Sequence, residues 1–297
     1  MKIRVLRYFL ETARLGSITR AAERLYVTQP TLSRQLKALE DELGKQLFER
    51  GSTSIRLTDE GRLLKERAED ILSMVDRTTA EFKALDDFTG GELYIGCAES
   101  QGIRYIARAV HHLQAQYPRI RLHLHSGNAE NVCERLDRGL LEFAVIVRDV
   151  DVMRYNCIEI PHRDTWGLIM RQDDLLAEKT TITLDDLIGV PLICSREGMT
   201  AEHPKWFGDR MDQLNIVATY NLLFNAAIMV REGMGCALSF DQLVDTGIGS
   251  GLCFRPLEPT LLAPMYLIWR RHQTFTPVGQ RFLDALKRQF EGGIQDA

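Results

Sequence analysis

The sequence predicts a multi-domain α+β chain in three parts: a small, mainly α-helical head, a long linker helix and an α/β body. Three observations predict it. Apolar residues recur at helical spacing, with short breaks, through residues 3–43. A 3.5-residue period, apolar except at Thr78, then runs from Leu64 to Leu85. Beyond residue 91, short apolar runs alternate with amphipathic segments, the pattern of a parallel sheet with covering helices.

Composition narrows the class. A chain of 297 residues has room for two or three domains of about 100–200 residues. At 45% hydrophobic and 26% charged it can build ordinary globular cores. It has no apolar run of about 18 residues to span a membrane, and charges interrupt the N-terminal stretch where a signal peptide would need an apolar core. A cytoplasmic protein with no membrane partner is expected. The six cysteines (97, 133, 157, 194, 236, 253) include no close pair, which argues against a disulfide framework and a Cys-x-x-Cys zinc site. Residues 1–65 carry 13 Lys/Arg against 8 Asp/Glu, and residues 66–297 carry 24 against 33. A basic head on an acidic body points the head at an anion.

In the head, Ile3, Leu6, Phe9, Leu10 and Ala13 share one face of a first helix. Gly16 ends it, Ser17 caps the next, and Ala21 and Ala22 are small where helices cross. The chain turns at Tyr26-Val27. Thr28 is placed as an N-cap, with Gln29 and Pro30 in the first turn, where a missing N–H costs nothing. Leu32, Leu36, Leu39 and Leu43 form the inward stripe of this helix.

The opposite face carries Pro30, Ser33, Arg34 and Lys37, with Gln29 and Thr31 beside them. Gln and Arg match adenine and guanine edges in the major groove, and Ser, Thr and Lys suit phosphates. A solvated face is the commoner fate of such residues. Here a short helix and tight turn precede the face, and Glu40, Asp41 and Glu42 come only after it, which favours a helix-turn-helix. Residues 45–58 then read as strand, turn and strand, a wing whose Arg50 and Arg56 can reach phosphates.

Residues 1–61 resemble the winged helix-turn-helix of LysR-type transcriptional regulators. The resemblance rests on Phe9, Gly16, Ser17, Ala21-Ala22, Leu25, Gln29-Pro30, Leu32-Ser33, Leu39-Glu40, Leu43-Gly44, Leu47-Phe48, Arg50, Leu57-Thr58 and Gly61. It implies base and phosphate contacts at Gln29, Pro30, Ser33 and Arg34. One departure is the wing tip, Gly51-Ser52-Thr53-Ser54, where the family usually carries arginine for the minor groove.

Thr58 caps the linker helix, expected over 58–88, with Asp59 and Glu60 in its dipole-favoured first turn. Leu64, Ala68, Ile71, Val75, Thr78, Phe82 and Leu85 form its seam, on a helix of about thirty residues and roughly 45 Å. Packing on its own domain is one use of that seam, but the strict period favours a second strand. The resemblance implies dimerisation here and a dimer of dimers. A hinge is expected at residues 89–92.

In the body (91–297), strands are expected at 92–98, 119–125, 143–147, 166–170, 191–194 and 266–269. Helices are expected from Glu99, over 132–140, over 221–232, from Asp241 and over 277–290, with 184–187 and 233–239 as further segments of the second unit. The resemblance implies two lobes like those of a periplasmic binding protein: lobe I from 91–162 and 266–297, lobe II from 163–265. Ligands of open α/β folds bind beyond strand C-termini, often at helix N-termini. Those positions hold Ser100, Gln101, Ser126, Asn128 and Arg148 in lobe I, and Trp166, Ser195, Arg196, Asn221 and Phe224 in lobe II. Family effector contacts fall on Ser100, Gln101, Ser126 and Ser195. Short polar donors with an arginine suit a small carboxylate.

Weaker signals yield less. His123 and His125 share a strand face without a third metal ligand, so a partly exposed edge is expected and no metal or other cofactor. Cys194 lies where peroxide-sensing relatives keep a reactive cysteine, but the next cysteine is Cys236. Gly247–Gly251 is a turn, because Leu252 breaks a GxGxxG pattern. A two-lobed binding protein or enzyme is the rival class, yet no GxSxG, HExxH or P-loop motif is present. A purely architectural DNA binder leaves the body without a role. The expected function is an effector-responsive regulator, not an enzyme, with operator DNA, a small effector, its own copies and RNA polymerase as partners.

Overall fold

The structure, a computed structural model, describes residues 1–50, 55–83, 88–200 and 203–291. It divides into two units, Met1–Lys83 and Ala84–Ala297. The first holds α1 (Ile3–Leu15), α2 (Ile18–Arg24), α3 (Gln29–Leu43), β1 (Phe48–Arg50), β2 (Ile55–Leu57) and α4 (Asp59–Lys83). α1 ends at Gly16 and α3 at Gly44, both left-handed (φ 60° and 66°), a conformation glycine adopts without steric cost. Ser17 accepts the Arg20 N–H at the start of α2. Helical spacing turns Leu6, Phe9, Ala21, Ala22, Leu32, Leu36 and Leu39 inward, none more than 3% exposed. Leu43, in the last turn of α3, escapes this core at 42% exposed.

Thr58 Oγ1 accepts the Gly61 N–H at 2.9 Å and starts α4. The helix is described over 25 residues, about 37 Å, and Leu85 lies outside the described residues. The expected seam splits in two. Ala68 is fully buried in the head's own core, where Leu64 and Ile71 also pack together with Leu72. This corrects the expectation of one seam reserved for a partner. The apolar arc is wider than an a/d stripe, and the head core takes its first half. Farther along, Val75 is half-buried and Thr78 is exposed, as are Phe82, Met74 and, near the start, Leu63.

The second unit begins with β3 (Gly90–Cys97), α5 (Ile103–Gln116), β4 (Arg119–Ser126), α6 (Ala129–Asp137), β5 (Phe143–Ile146) and β6 (Tyr155–Arg171). It continues with α7 (Leu184–Leu187), β7 (Pro191–Ser195), α8 (His203–Phe207), β8 (Asn215–Tyr220), α9 (Leu223–Arg231), β9 (Cys236–Phe240), β10 (Leu252–Pro256), β11 (Leu262–Arg270) and α10 (Pro277–Glu291). The strands join in the order β4-β3-β5-β11-β6-β9-β7-β8, with β10 on β6. β3 runs parallel to β4 and β5, and β7 parallel to β8 and β9, giving two βαβ halves. β6 links them. It pairs with β11 from Tyr155 to Thr165, then with β9 and β10 from Trp166 to Arg171.

Several element limits differ from expectation. β6 starts at Tyr155 rather than near Trp166, α5 at Ile103 rather than Glu99, and α6 at Ala129 rather than Val132. No helix follows Asp241: Gln242 takes φ 59°, and turns continue through Gly251. β8, α8 and β10 were not anticipated. No helix among the described residues is long and apolar enough to cross a membrane.

Candidate DNA interface and effector cleft

On α3, Gln29, Pro30, Arg34 and Lys37 are exposed, while Thr31 and Ser33 are half-buried beside them. Arg34 Nε donates to the Pro30 carbonyl one turn back, at 3.3 Å, which lays the guanidinium along this ridge. Thr28 holds the N-cap backbone geometry, but its hydroxyl donates to Thr31 Oγ1 at 2.8 Å and caps no backbone N–H. Arg56 is exposed on β2 and Arg50 ends β1, while the turn at 51–54 lies outside the described residues. Tyr26 is not among the residues expected at this surface. It is 96% exposed at the turn before α3 and holds φ 55°, which costs a non-glycine residue about 1–2 kcal/mol.

Within the second unit, the two halves flank an inner cavity of about 50 Å³. Of the sequence candidates, Asn128, Trp166, Ser195 and Asn221 line it, joined by Glu99, Glu197, Tyr220, Ser239 and Phe240. Beside it lies an outer hollow of about 880 Å³ lined by Asn128, Asn221, Arg148 and Arg196. The other candidates line neither space. Ser100 is buried, donating its hydroxyl to Asp164 at 2.5 Å and accepting the Gly102 N–H. Gln101 spans the lobes, its Nε2 donating to the Gln242 carbonyl at 2.5 Å. Ser126 ends β4 at the surface and Phe224 is 68% exposed on α9.

Further bonds cross between the lobes. Glu99 of lobe I accepts the Leu223 N–H, the first residue of α9, at 2.6 Å. Glu197 of lobe II accepts the Ala129 N–H, the first residue of α6, at 2.9 Å, with Arg148 at 4.0 Å from its other oxygen. Burial pushes the Glu197 carboxyl above its usual range, opposed by the Ala129 N–H and Arg148. Lys205 pairs with Asp149 across the same opening at 2.8 Å. Trp166, 3% exposed, packs edge-on against His203, and its indole N–H has no partner among the described residues.

The weaker candidates have structural roles. His123 pairs with Glu92 and stacks on Tyr94, and His125 bonds Asn131, so both lie on a partly exposed edge. No group of three metal-ligating side chains occurs among the described residues. Cys194 is 1% exposed, and burial pushes its thiol up to about 12, far from the accessible thiolate that peroxide chemistry needs.

Residues 3–62 match the family described as "Bacterial regulatory helix-turn-helix protein, lysR family", and residues 87–291 match "LysR substrate binding domain". The HTH-type transcriptional activator CmpR of Synechocystis sp. is 29% identical over 94% of this chain and 92% of its own. A hydrogen peroxide-inducible genes activator of Pectobacterium carotovorum subsp. carotovorum is 31% identical over 67% of this chain and 65% of its own. The full-length crystal structure of CbnR complexed with its target DNA shares the fold, with a TM-score of 0.74, 23% identity and coverage of 97% of this chain and 99% of that one. A helix-turn-helix head and a two-lobed body, each matched by its own family description, place this chain in the LysR family, as a ligand-responsive, DNA-binding regulator of transcription.

Proposed function

We propose that α3 reads an operator in the major groove, with Gln29 and Arg34 at base edges and Thr28, Thr31, Ser33 and Lys37 on the backbone, Pro30 fixing the entry of the helix. Arg50, Arg56 and the exposed Tyr26 hold flanking phosphates. Two copies pair through the part of α4 the head leaves uncovered, around Val75, Thr78 and Phe82, with Leu85, which follows α4 in the sequence, continuing the contact, and two such pairs form a tetramer. A small molecule in the inter-lobe cleft shifts the balance between lobe arrangements, and with it the spacing of the heads, the bend in the DNA and the access of RNA polymerase. The protein acts in the cytoplasm.

The observation that carries this reading is the polarity of α3. Leu32, Leu36 and Leu39 are buried in the head, while the opposite ridge is polar, cationic and exposed. Selection of bound duplexes from a random pool tests it. The expected result is a palindromic site enriched by the wild type and relaxed at one position by Arg34→Ala. Recovery of no common sequence, with affinity governed by salt alone, would overturn sequence-specific reading.

A further inference from the structure

The inter-lobe cleft carries its own anions. A helix N-terminus favours a negative group, and both α6 and α9 present theirs at the cleft. Neither is open. Glu197 reaches from lobe II to the first N–H of α6, and Glu99 reaches from lobe I to the first N–H of α9. An effector carboxylate bound at either first N–H would have to displace one of these groups and remain beside the other.

The inner cavity they close has the opposite preference. Its walls include both glutamates and the rings of Trp166, Tyr220 and Phe240, and among the described residues no Lys or Arg lines it. Carboxylate oxygens and aromatic faces both attract a positive nitrogen. Trp166 adds a second indication: its indole N–H is buried without a partner, and a buried donor of that kind calls for an acceptor. The outer hollow shares Asn128, Glu197, Tyr220 and Asn221 with the inner cavity, which gives the rest of a ligand somewhere to lie.

Resting on the cleft as the effector site, we propose that its ligand is a small organic cation, with an ammonium group lodged between Glu99 and Glu197 and an acceptor atom for Trp166 Nε1. The two glutamates act both as the internal clasp between the lobes and as the determinants of ligand charge. This reverses the charge expected from the strand-end serines and arginines. Ser100 and Gln101 are already committed, to Asp164 and to the Gln242 carbonyl, and Arg148 and Arg196 line the outer hollow, Arg148 standing 4.0 Å from one Glu197 oxygen on that side.

The test is isothermal titration of the full-length protein with 4-aminobutanamide and with succinate, four-carbon chains of similar length, one carrying an ammonium and a carbonyl acceptor and the other two carboxylates. Wild type, Glu99→Gln and Glu197→Gln are compared. Each amide keeps an oxygen for the helix N–H, so the clasp survives while the charge is lost, and thermal unfolding verifies that each variant is folded. Aminobutanamide is expected to bind the wild type and to weaken at least tenfold in each variant, with succinate inert. Succinate binding, aminobutanamide binding equally to all three proteins, or no binding of either would each overturn the proposed charge preference. Asn221→Trp, at the rim common to both spaces, separates the two readings. A probe that it blocks binds in the cleft whatever its charge, and a probe that it leaves untouched counts against the cleft as the effector site.

Discussion

Glu40, near the end of α3, accepts two backbone N–H groups of the hairpin with a single oxygen: Leu47 at 2.8 Å and Phe48 at 3.3 Å. Both residues belong to the head core, at 1% and 8% exposed. The recognition helix and the wing are thereby held in one geometry. Glu40→Ala strands both donors and should cost roughly 1–3 kcal/mol, while Glu40→Gln retains an acceptor and should cost less. Urea unfolding followed by far-ultraviolet circular dichroism measures both. Equal losses in the two variants would assign the effect to the negative charge of the carboxylate and not to its acceptor oxygen.

Gly61 sets a second constraint on the same junction. A Cβ there would sit 2.1 Å from the Leu47 carbonyl oxygen and 2.9 Å from Leu57. The first turn of α4 therefore lies directly on the hairpin backbone. Gly61→Ala, which normally improves a helix, should here destabilise the head by about 1–3 kcal/mol, because backbone cannot move aside as a side chain can. A thermal melt higher than that of the wild type would show that the contact relaxes freely.

The head is legible in the sequence because its determinants are local. Gly16, Ser17 and Pro30 act within a turn or two of where they stand, and the leucines of α3 repeat at the spacing of one helix. The cleft depends on partners far apart in the chain. Glu99 and Glu197 each bond a helix of the opposite lobe, and no short-range pattern announces that. Ser100 was placed correctly at a strand end, but Asp164, on the crossing strand, takes its hydroxyl. Residues 155–165 of β6 were hidden for another reason. Much of a strand that crosses between lobes is only partly buried, so it shows neither clean alternation nor a continuous apolar run. The seam of α4 misled because periodicity reports which face is apolar and not what covers it.

Arg34 and Lys37 lie one turn apart on the exposed ridge of α3 and should separate reading from gripping. Loss of Arg34 to alanine should cost about 1–3 kcal/mol on the selected operator and little on unrelated DNA. Loss of Lys37 should weaken both nearly equally and reduce the salt slope by about one. Fluorescence anisotropy at two salt concentrations distinguishes them. Identical behaviour of the two variants would place Arg34 on phosphate.

Phe82 is 69% exposed and Met74 45% exposed on a stretch of α4 beyond the head core, a large apolar surface for a helix in water. Phe82→Asp should shift the chain toward monomer in sedimentation velocity while the head stays folded. It should also reduce operator affinity, since two linked heads bind far more tightly than one. An unchanged sedimentation coefficient would move the association surface elsewhere.

His203 ties stability to pH. Its ring is 1% exposed, packed against Trp166 and Phe207, and neither nitrogen has a partner among the described residues. Burial pushes its pKa down to about 4 from 6.5, so the folded state holds the neutral imidazole. Between those values the unfolded chain binds a proton that the folded chain refuses. The stability His203 permits is therefore present above pH 6.5 and is lost as pH falls through the window, by roughly 2 kcal/mol at pH 5. His203→Phe fills similar space with no proton site. Relative to the wild type it should gain little at pH 7 beyond relief of the two unpaired nitrogens, and progressively more toward pH 5. Urea midpoints across that range give the difference directly. If the two proteins lose stability in parallel, His203 accepts its proton without penalty, and the acid sensitivity of the fold must come from other groups.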